Sequence, residues 1–235
     1  MIKSGKFSSS SRSTMGGTVE EEIKLVVSAK KKFNQIKLDH LLEKQAVGEW
    51  VNNSMLTIYL DTSNRYLLKK RVAMRLREPE PGVCILGMKG FGSVINGVAK
   101  RLEWEQNLTN PPKSFYSSLH YSDISKGVVK DKLDMLFYDL GGVEDLTFTT
   151  LMKTSIERQT RQFVLADGSR VEMALDWGIV QAGERESVIG EVEIEKISGS
   201  SQSFSLFARE FMGRYGLSSA ENSKFTIGLN LLGLT

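Results

Sequence analysis

The chain of 235 residues holds one cysteine, Cys84, and two histidines, His40 and His120. A lone thiol cannot close an internal disulfide, and so small a Cys/His set offers no zinc-ligand spacing, so a reducing compartment is the simple expectation. Long apolar runs are also missing. No stretch approaches the length of a membrane span, and the opening MIKSGKFSSSSRSTMGG lacks the apolar segment of a secretory leader. A cytoplasmic protein without membrane contact is expected. Basic blocks are equally scarce: the formal charge is +3, and AKKKF at 29–33 reads as a solvated strand-to-helix connection. Nucleic acid is therefore not an expected partner.

The composition, 40% hydrophobic and 25% charged, is that of an ordinary globular chain long enough to bury a large core. Residues 1–18 are Ser/Gly-rich and aperiodic; they read as a disordered extension or cloning remnant, with Met15 as a native start. No linker divides residues 19–235, which read as a single domain. Period-two patterning predicts strands near 19–28, 51–60, 72–78, 83–90, 97–107, 150–165, 169–180 and 188–197, separated by turn signals such as EPEPG, KGFGS, ADGS and AGE. Helical spacing appears at Val129, Leu133, Leu136, Phe137 and Leu140, and again at Phe204, Phe207, Ala208, Phe211 and Tyr215, each stripe followed by a glycine. A shorter helix is predicted over 35–47.

Alternate residues of a strand point to opposite faces, and here one face is repeatedly ionic. Glu20, Glu22 and Lys24 oppose Ile23 and Leu25; Arg75 and Arg77 oppose Met74 and Leu76; Lys89 opposes Met88. Arg101, Glu103 and Glu105 oppose Leu102 and Trp104; Glu172 and Asp176 oppose Val171 and Met173; Glu191, Glu193 and Glu195 oppose Val192 and Ile194. Any one such strand is compatible with a half-solvated sheet. Across six strands, however, acidic triplets and arginine pairs are sorted apart, and adjacent like charges destabilise a sheet unless something compensates them. A barrel with ionic faces lining a wet interior and apolar faces under a jacket of helices accounts for both. Clustered carboxylates are hard oxygen ligands suited to Mg²⁺ or Mn²⁺, while Arg and Lys suit phosphate oxygens.

Glu20-x-Glu22-x-Lys24 resembles the signature that opens the CYTH domain, the triphosphate tunnel metalloenzymes. The match continues in order through YLDT (59–62), AMRLRE (73–78), GMKG (87–90), RLEWE (101–105), VEMALDWG (171–178) and EVEIE (191–195). The resemblance implies a mainly β protein with peripheral helices, built as a closed eight-stranded antiparallel barrel that forms a tunnel. It also implies phosphate binding by Lys24, Arg75, Arg77, Lys89 and Arg101. Metal binding falls to Glu20, Glu22, Glu103, Glu105, Asp176, Glu191, Glu193 and Glu195, and the catalytic metal and water role to Glu22, Glu191 and Glu193. Arg158 is chosen as a further tunnel base, with Arg161 on the opposite face of a regular strand. SKFTIGL resembles the family's Ser-Lys-x-x-Arg-Gly stretch, so Lys224 joins the triphosphate set, but Ile227 replaces the arginine.

The implied activity is Mg²⁺- or Mn²⁺-dependent hydrolysis of inorganic triphosphate to pyrophosphate and phosphate, most like the bacterial inorganic triphosphatase branch. A class IV adenylate cyclase, a thiamine triphosphatase, or a non-catalytic polyphosphate- or nucleotide-binding module remain alternatives. A closed barrel exposes no strand edges, so a homodimer would have to form through helices or loops.

Overall fold

The computed structural model describes residues 18–80, 83–90, 93–95, 98–108, 117–138, 140 and 143–235; residues 1–17 of the predicted N-terminal extension lie outside them, and Thr18 is already in the first strand. Ten strands occur in it: β1 (Thr18–Val26), β2 (Ala46–Thr62), β3 (Val72–Glu80), β4 (Val83–Gly90), β5 (Ser93–Ile95), β6 (Val98–Leu108), β7 (Ser118–His120), β8 (Thr147–Val164), β9 (Arg170–Ala182) and β10 (Arg185–Ser198). Six α-helices accompany them: α1 (Lys31–Lys37), α2 (His40–Glu43), α3 (Tyr66–Lys69), α4 (Val128–Phe137), α5 (Ser201–Tyr215) and α6 (Lys224–Leu232). No described helix is long and apolar enough to cross a membrane.

The antiparallel order β1-β10-β9-β8-β2-β3-β4-β6 closes because β6 also pairs with β1, giving an eight-stranded barrel; β5 and β7 add short flanks to β6 and β8. All eight predicted strands are present, with β2 and β8 longer than their apolar alternation suggests.

Two apolar cores lie outside this wall. On one side α3 and α4 cover β2, β3, β4 and β6, burying Leu76, Leu86, Trp104, Leu133 and Phe137. Gln106 on β6 fixes that helix, since its side-chain oxygen accepts from the Val129 N–H at 2.9 Å and the Lys130 N–H at 3.3 Å, satisfying two of the orphan donors of α4. Gly127 leaves room for it: a Cβ there would lie 2.5 Å from the same oxygen. On the other side α1, α2 and α5 cover β1, β8, β9 and β10 through Phe33, Ile36, Phe204, Ala208 and Phe211. Ser200 caps α5 through the Ser203 N–H, and Gly216 ends it in the left-handed region at φ 60°.

The predicted helix over 35–47 is corrected. It is two short helices, and the chain is already in β2 at Ala46. Asp39 breaks it by capping α2, accepting from Leu41 N–H at 2.8 Å, while Arg161 draws Gly48 into the β2–β8 ribbon by donating to its carbonyl at 2.8 Å.

The last helix enters the barrel. Phe225 and Leu229 of α6 pack on the inward-facing Tyr59, Met152 and Ala182, and Ile227 and Leu231 on Ile156, Val180 and Ile189. Gly228 permits this depth, because a Cβ at that position would lie 2.0 Å from the Met152 sulfur. One end of the interior is thereby apolar and filled, and the polar cavity lies beyond it.

Candidate active site

The inward faces of the strands carry the ionic residues expected from the sequence. A cavity of about 530 Å³ is lined by Lys24, Arg75, Arg77, Lys89, Arg101, Arg158 and Lys224, together with Glu20, Glu22, Glu103, Glu105, Glu193, Glu195 and Glu221. Asp176 and Glu191 sit just behind this lining, almost fully buried. Their outward neighbours Ile23, Leu76 and Trp104 belong to the external cores.

Strand register sets like charges face to face. Glu22 lies opposite Glu195, which lies opposite Glu172, a row of three carboxylates across β1, β10 and β9; Glu191 likewise opposes Asp176. Cations answer these charges unevenly. Around Asp176, Glu191 and Glu193 the answer is complete. Arg158 grips Asp176 with two bonds of 2.7 and 2.6 Å, Lys24 and Arg158 both reach Glu193, and Lys224 contacts all three acids. Burial disfavours the Glu193 charge, yet Lys224, Lys24 and Arg158 outweigh it and hold the carboxyl well below its usual range. Around β6, Arg75 pairs with Glu103 and, at 3.2 Å, with Glu105. Burial works against the Glu103 charge as well, but Arg75 and Lys89 bring it down to about 2.

The row through Glu195 is different. Glu22 is shared among Lys24 at 2.9 Å, Arg101 at 3.2 Å and Lys89 at 3.5 Å, and Glu20 contacts Lys89. Glu195 has no ion-pair partner among the described residues. Burial, then Glu20 and Glu22, push it up to about 8; burial and then Glu22 raise Glu20 to about 7, against the pull of Lys89. One cation is also unmatched in part: the buried Arg77 Nε has no hydrogen-bond partner, and Arg75 beside it, then burial, lower the guanidinium's affinity for its proton.

Arg158 faces the cavity; Arg161 is on the outside of the wall, bidentate to Glu43 at 2.7 and 2.8 Å. Asp61 in YLDT is no part of the cavity. It is a buried cap for α3, accepting from Leu67 N–H at 2.9 Å and Leu68 N–H at 3.0 Å. Sequence reasoning overlooked the uncharged lining: Thr57, Tyr59, Thr154, Ser223 and Phe225. Their available signal was parity, since Thr57 and Tyr59 alternate with the outward Ile58 and Leu60, and Tyr59 lies opposite Arg75.

Residues 19–226 match the CYTH domain family, nearly the whole described chain. The chain is a member of the CYTH domain family. It is 27% identical over 183 residues to the inorganic triphosphatase of Haemophilus influenzae, a match covering 78% of this chain and 46% of that protein. The chain thus spans about half the length of the curated relative it matches. Among solved structures it resembles a Hippeastrum protein proposed as an adenylyl cyclase and described as having dominant triphosphatase activity, with TM-score 0.63, 18% identity, and coverage of 90% of this chain and 95% of that one. A Bacillus halodurans protein proposed as an adenylate cyclase superposes with TM-score 0.59 at 20% identity, over 88% and 95% of the two chains. At such identities these two likenesses bear on the fold.

Proposed function

We propose that this CYTH domain hydrolyses inorganic triphosphate to pyrophosphate and phosphate, with Mg²⁺ or Mn²⁺ as cofactor. The observation that carries the reading is the convergence of seven Lys and Arg side chains, from β1, β3, β4, β6, β8 and α6, on one cavity whose acidic row is left without a full set of cations. A guanidinium such as Arg77 with an unpartnered N–H is prepared for phosphate oxygens. The relationship to an inorganic triphosphatase supports the choice of substrate.

The donor set fits a divalent ion. Glu20, Glu22 and Glu195 are hard oxygen ligands, and Glu195 is a desolvated carboxyl facing other carboxylates, a charge that a cation would relieve. These three would hold the ion. When bound, it would supply Lewis-acid neutralisation of phosphate oxygens and lower the pKa of a coordinated water.

The chain's own groups do the rest. Arg75, Arg77, Lys89 and Arg101 on one wall, and Lys24, Arg158 and Lys224 on the other, bind and straighten the phosphate chain, and neutralise the charge that shifts to the leaving oxygen. Glu22, between Lys24, Lys89 and Arg101, orients the attacking water or accepts its proton. The apolar packing of α6 closes the far end and limits water behind the phosphates. No covalent nucleophile is required.

Incubation with tripolyphosphate, ATP or thiamine triphosphate, each with Mg²⁺ or Mn²⁺, followed by anion-exchange separation, tests the reading. Equal amounts of phosphate and pyrophosphate from tripolyphosphate are expected. Cyclic AMP from ATP would make the chain a cyclase, and binding without turnover would make it a polyphosphate module.

A further inference from the structure

We propose that a groove on the outer surface of the barrel wall, between α1 and the strands β2, β8 and β9, is a binding site for a nucleoside monophosphate, separate from the ionic cavity inside.

The groove encloses about 620 Å³, a size usual for small-molecule sites. Its floor is aromatic and apolar. Leu175 and Trp177 point outward from β9, since Asp176 between them faces inward, and Phe33 of α1 meets the Trp177 ring edge-on with 6.2 Å between centroids. Gly190, directly opposite on β10, holds the indole from another side, because a Cβ there would lie 2.6 Å from the ring. Phe33 and Leu175 are buried, but Trp177 is only half-buried. A fixed indole left open at the bottom of a concavity is a stacking surface for another planar ring. The AKKKF stretch supplies Lys30, Lys31 and Phe33 to this groove, and VEMALDWG supplies Trp177, a motif residue to which the inner cavity gives no role.

The rim carries an excess of positive charge. Lys30, Lys31 and Lys37 line it against a single acid, Glu157. Lys30 pairs with Glu157, and Arg158, which also touches the groove, is engaged by Asp176 and Glu193 inside the barrel. Lys31 and Lys37 have no ion pair among the described residues. They stand six residues apart on α1, about 9 Å along its axis, a span that two flexible stems can close on one phosphate. A phosphate monoester carries a charge of about −2 near neutral pH, which two ammoniums match. Beside the floor, the Gln159 amide donates to the Asn52 side-chain oxygen. That bond leaves the Asn52 N–H₂ and the Gln159 oxygen, a donor beside an acceptor, without partners among the described residues. Nucleobases are read by such amide pairs, as adenine is through N7 and N6.

Titration of the isotope-labelled full chain with AMP, CMP, GMP and UMP, in EDTA, reads the site through the indole N–H signals of the three tryptophans, with Trp177 assigned by Trp177→Phe. At least one nucleotide should move the Trp177 signal saturably, with a dissociation constant of about 1 mM or tighter, while Trp104 in the opposite outer core stays still. The matching nucleoside and ribose 5-phosphate should each bind about tenfold more weakly or worse, since each lacks one half of the contacts. Lys31→Glu combined with Lys37→Glu, neither of them buried, should weaken the nucleotide by about tenfold or more. Arg77→Ala alters the inner cavity and should leave nucleotide binding unchanged. No movement of Trp177 with any of the four nucleotides would overturn the proposal. Equal binding of ribose 5-phosphate would reduce the groove to an anion patch, and loss of binding in Arg77→Ala would move the nucleotide into the barrel; either result overturns it too. None of these measurements depends on tripolyphosphate turnover.

Discussion

Replacing Glu195 by glutamine should stabilise the metal-free chain, and only at higher pH. The Glu195 carboxyl is raised from 4.5 to about 8 by burial and by Glu20 and Glu22. Below about pH 4.5 the group is protonated in both folded and unfolded chains and costs nothing. Between about 4.5 and 8 the unfolded chain releases the proton while the folded chain keeps it, so stability falls by about 1.4 kcal/mol per pH unit. Above about pH 8 the loss is complete, about 5 kcal/mol. Glutamine has the same shape and no proton to lose. Urea or thermal unfolding in EDTA should therefore find the two chains equal at pH 4.5 and Glu195→Gln ahead by about 3–5 kcal/mol at pH 8.5, on the order of 10 °C in midpoint for a chain of this size. Saturating Mg²⁺ should shrink the difference. Parallel stability curves from pH 5 to 9, or a variant less stable at pH 8.5, would refute the account of this carboxyl.

Glu22→Gln should lower kcat for tripolyphosphate by about 100-fold or more while circular dichroism stays native; a change of less than tenfold would remove Glu22 from the chemistry. Arg77→Ala should raise KM by about 10- to 100-fold, the worth of a charge-assisted bond, without loss of stability in denaturant, because Arg75 already opposes this charge. Gly228→Val gains helix propensity but drives a side chain into Met152. It should cost about 1–3 kcal/mol in urea unfolding through overpacking, and an unchanged midpoint would mean α6 is not seated inside the barrel.

The barrel was legible because its strands are amphipathic in an inverted sense. Glu22 against Ile23, Arg75 against Leu76 and Glu103 against Trp104 report the period of two whichever face is inside, and the recurrence of ionic faces indicated which face turns inward. Helix α6 left no such trace. Phe225, Ile227, Leu229, Leu231 and Leu232 spread over much of its circumference because the helix packs against β2, β8, β9 and β10 while Asn230 stays exposed, so the narrow stripe that marks a surface helix is blurred. Arg158 and Arg161 lie three residues apart and hence on opposite faces. The sequence alone could not decide between them, since the partners that do, Asp176 and Glu43, lie on β9 and α2. Asp61 shows the converse: a motif position can match and serve a helix cap.

The placement of the two cores explains how a chain can tolerate so charged an interior. Breaking a buried ion pair is costly, but an intact one contributes little net stability against an apolar replacement, because desolvation offsets the attraction. The folding free energy must therefore come from the outer layers, where Leu76, Trp104, Leu133 and Phe137 on one side and Ile23, Val192, Phe204 and Phe211 on the other are removed from water. Each barrel strand divides the work between its faces. The outward residues fix the wall, and that fixed wall holds Glu22, Glu195 and Glu172 in a register that the acids alone would not adopt. The repulsion stored in that row is sustained by the packing outside, and it leaves the cavity poised for a cation and the phosphate oxygens that accompany it.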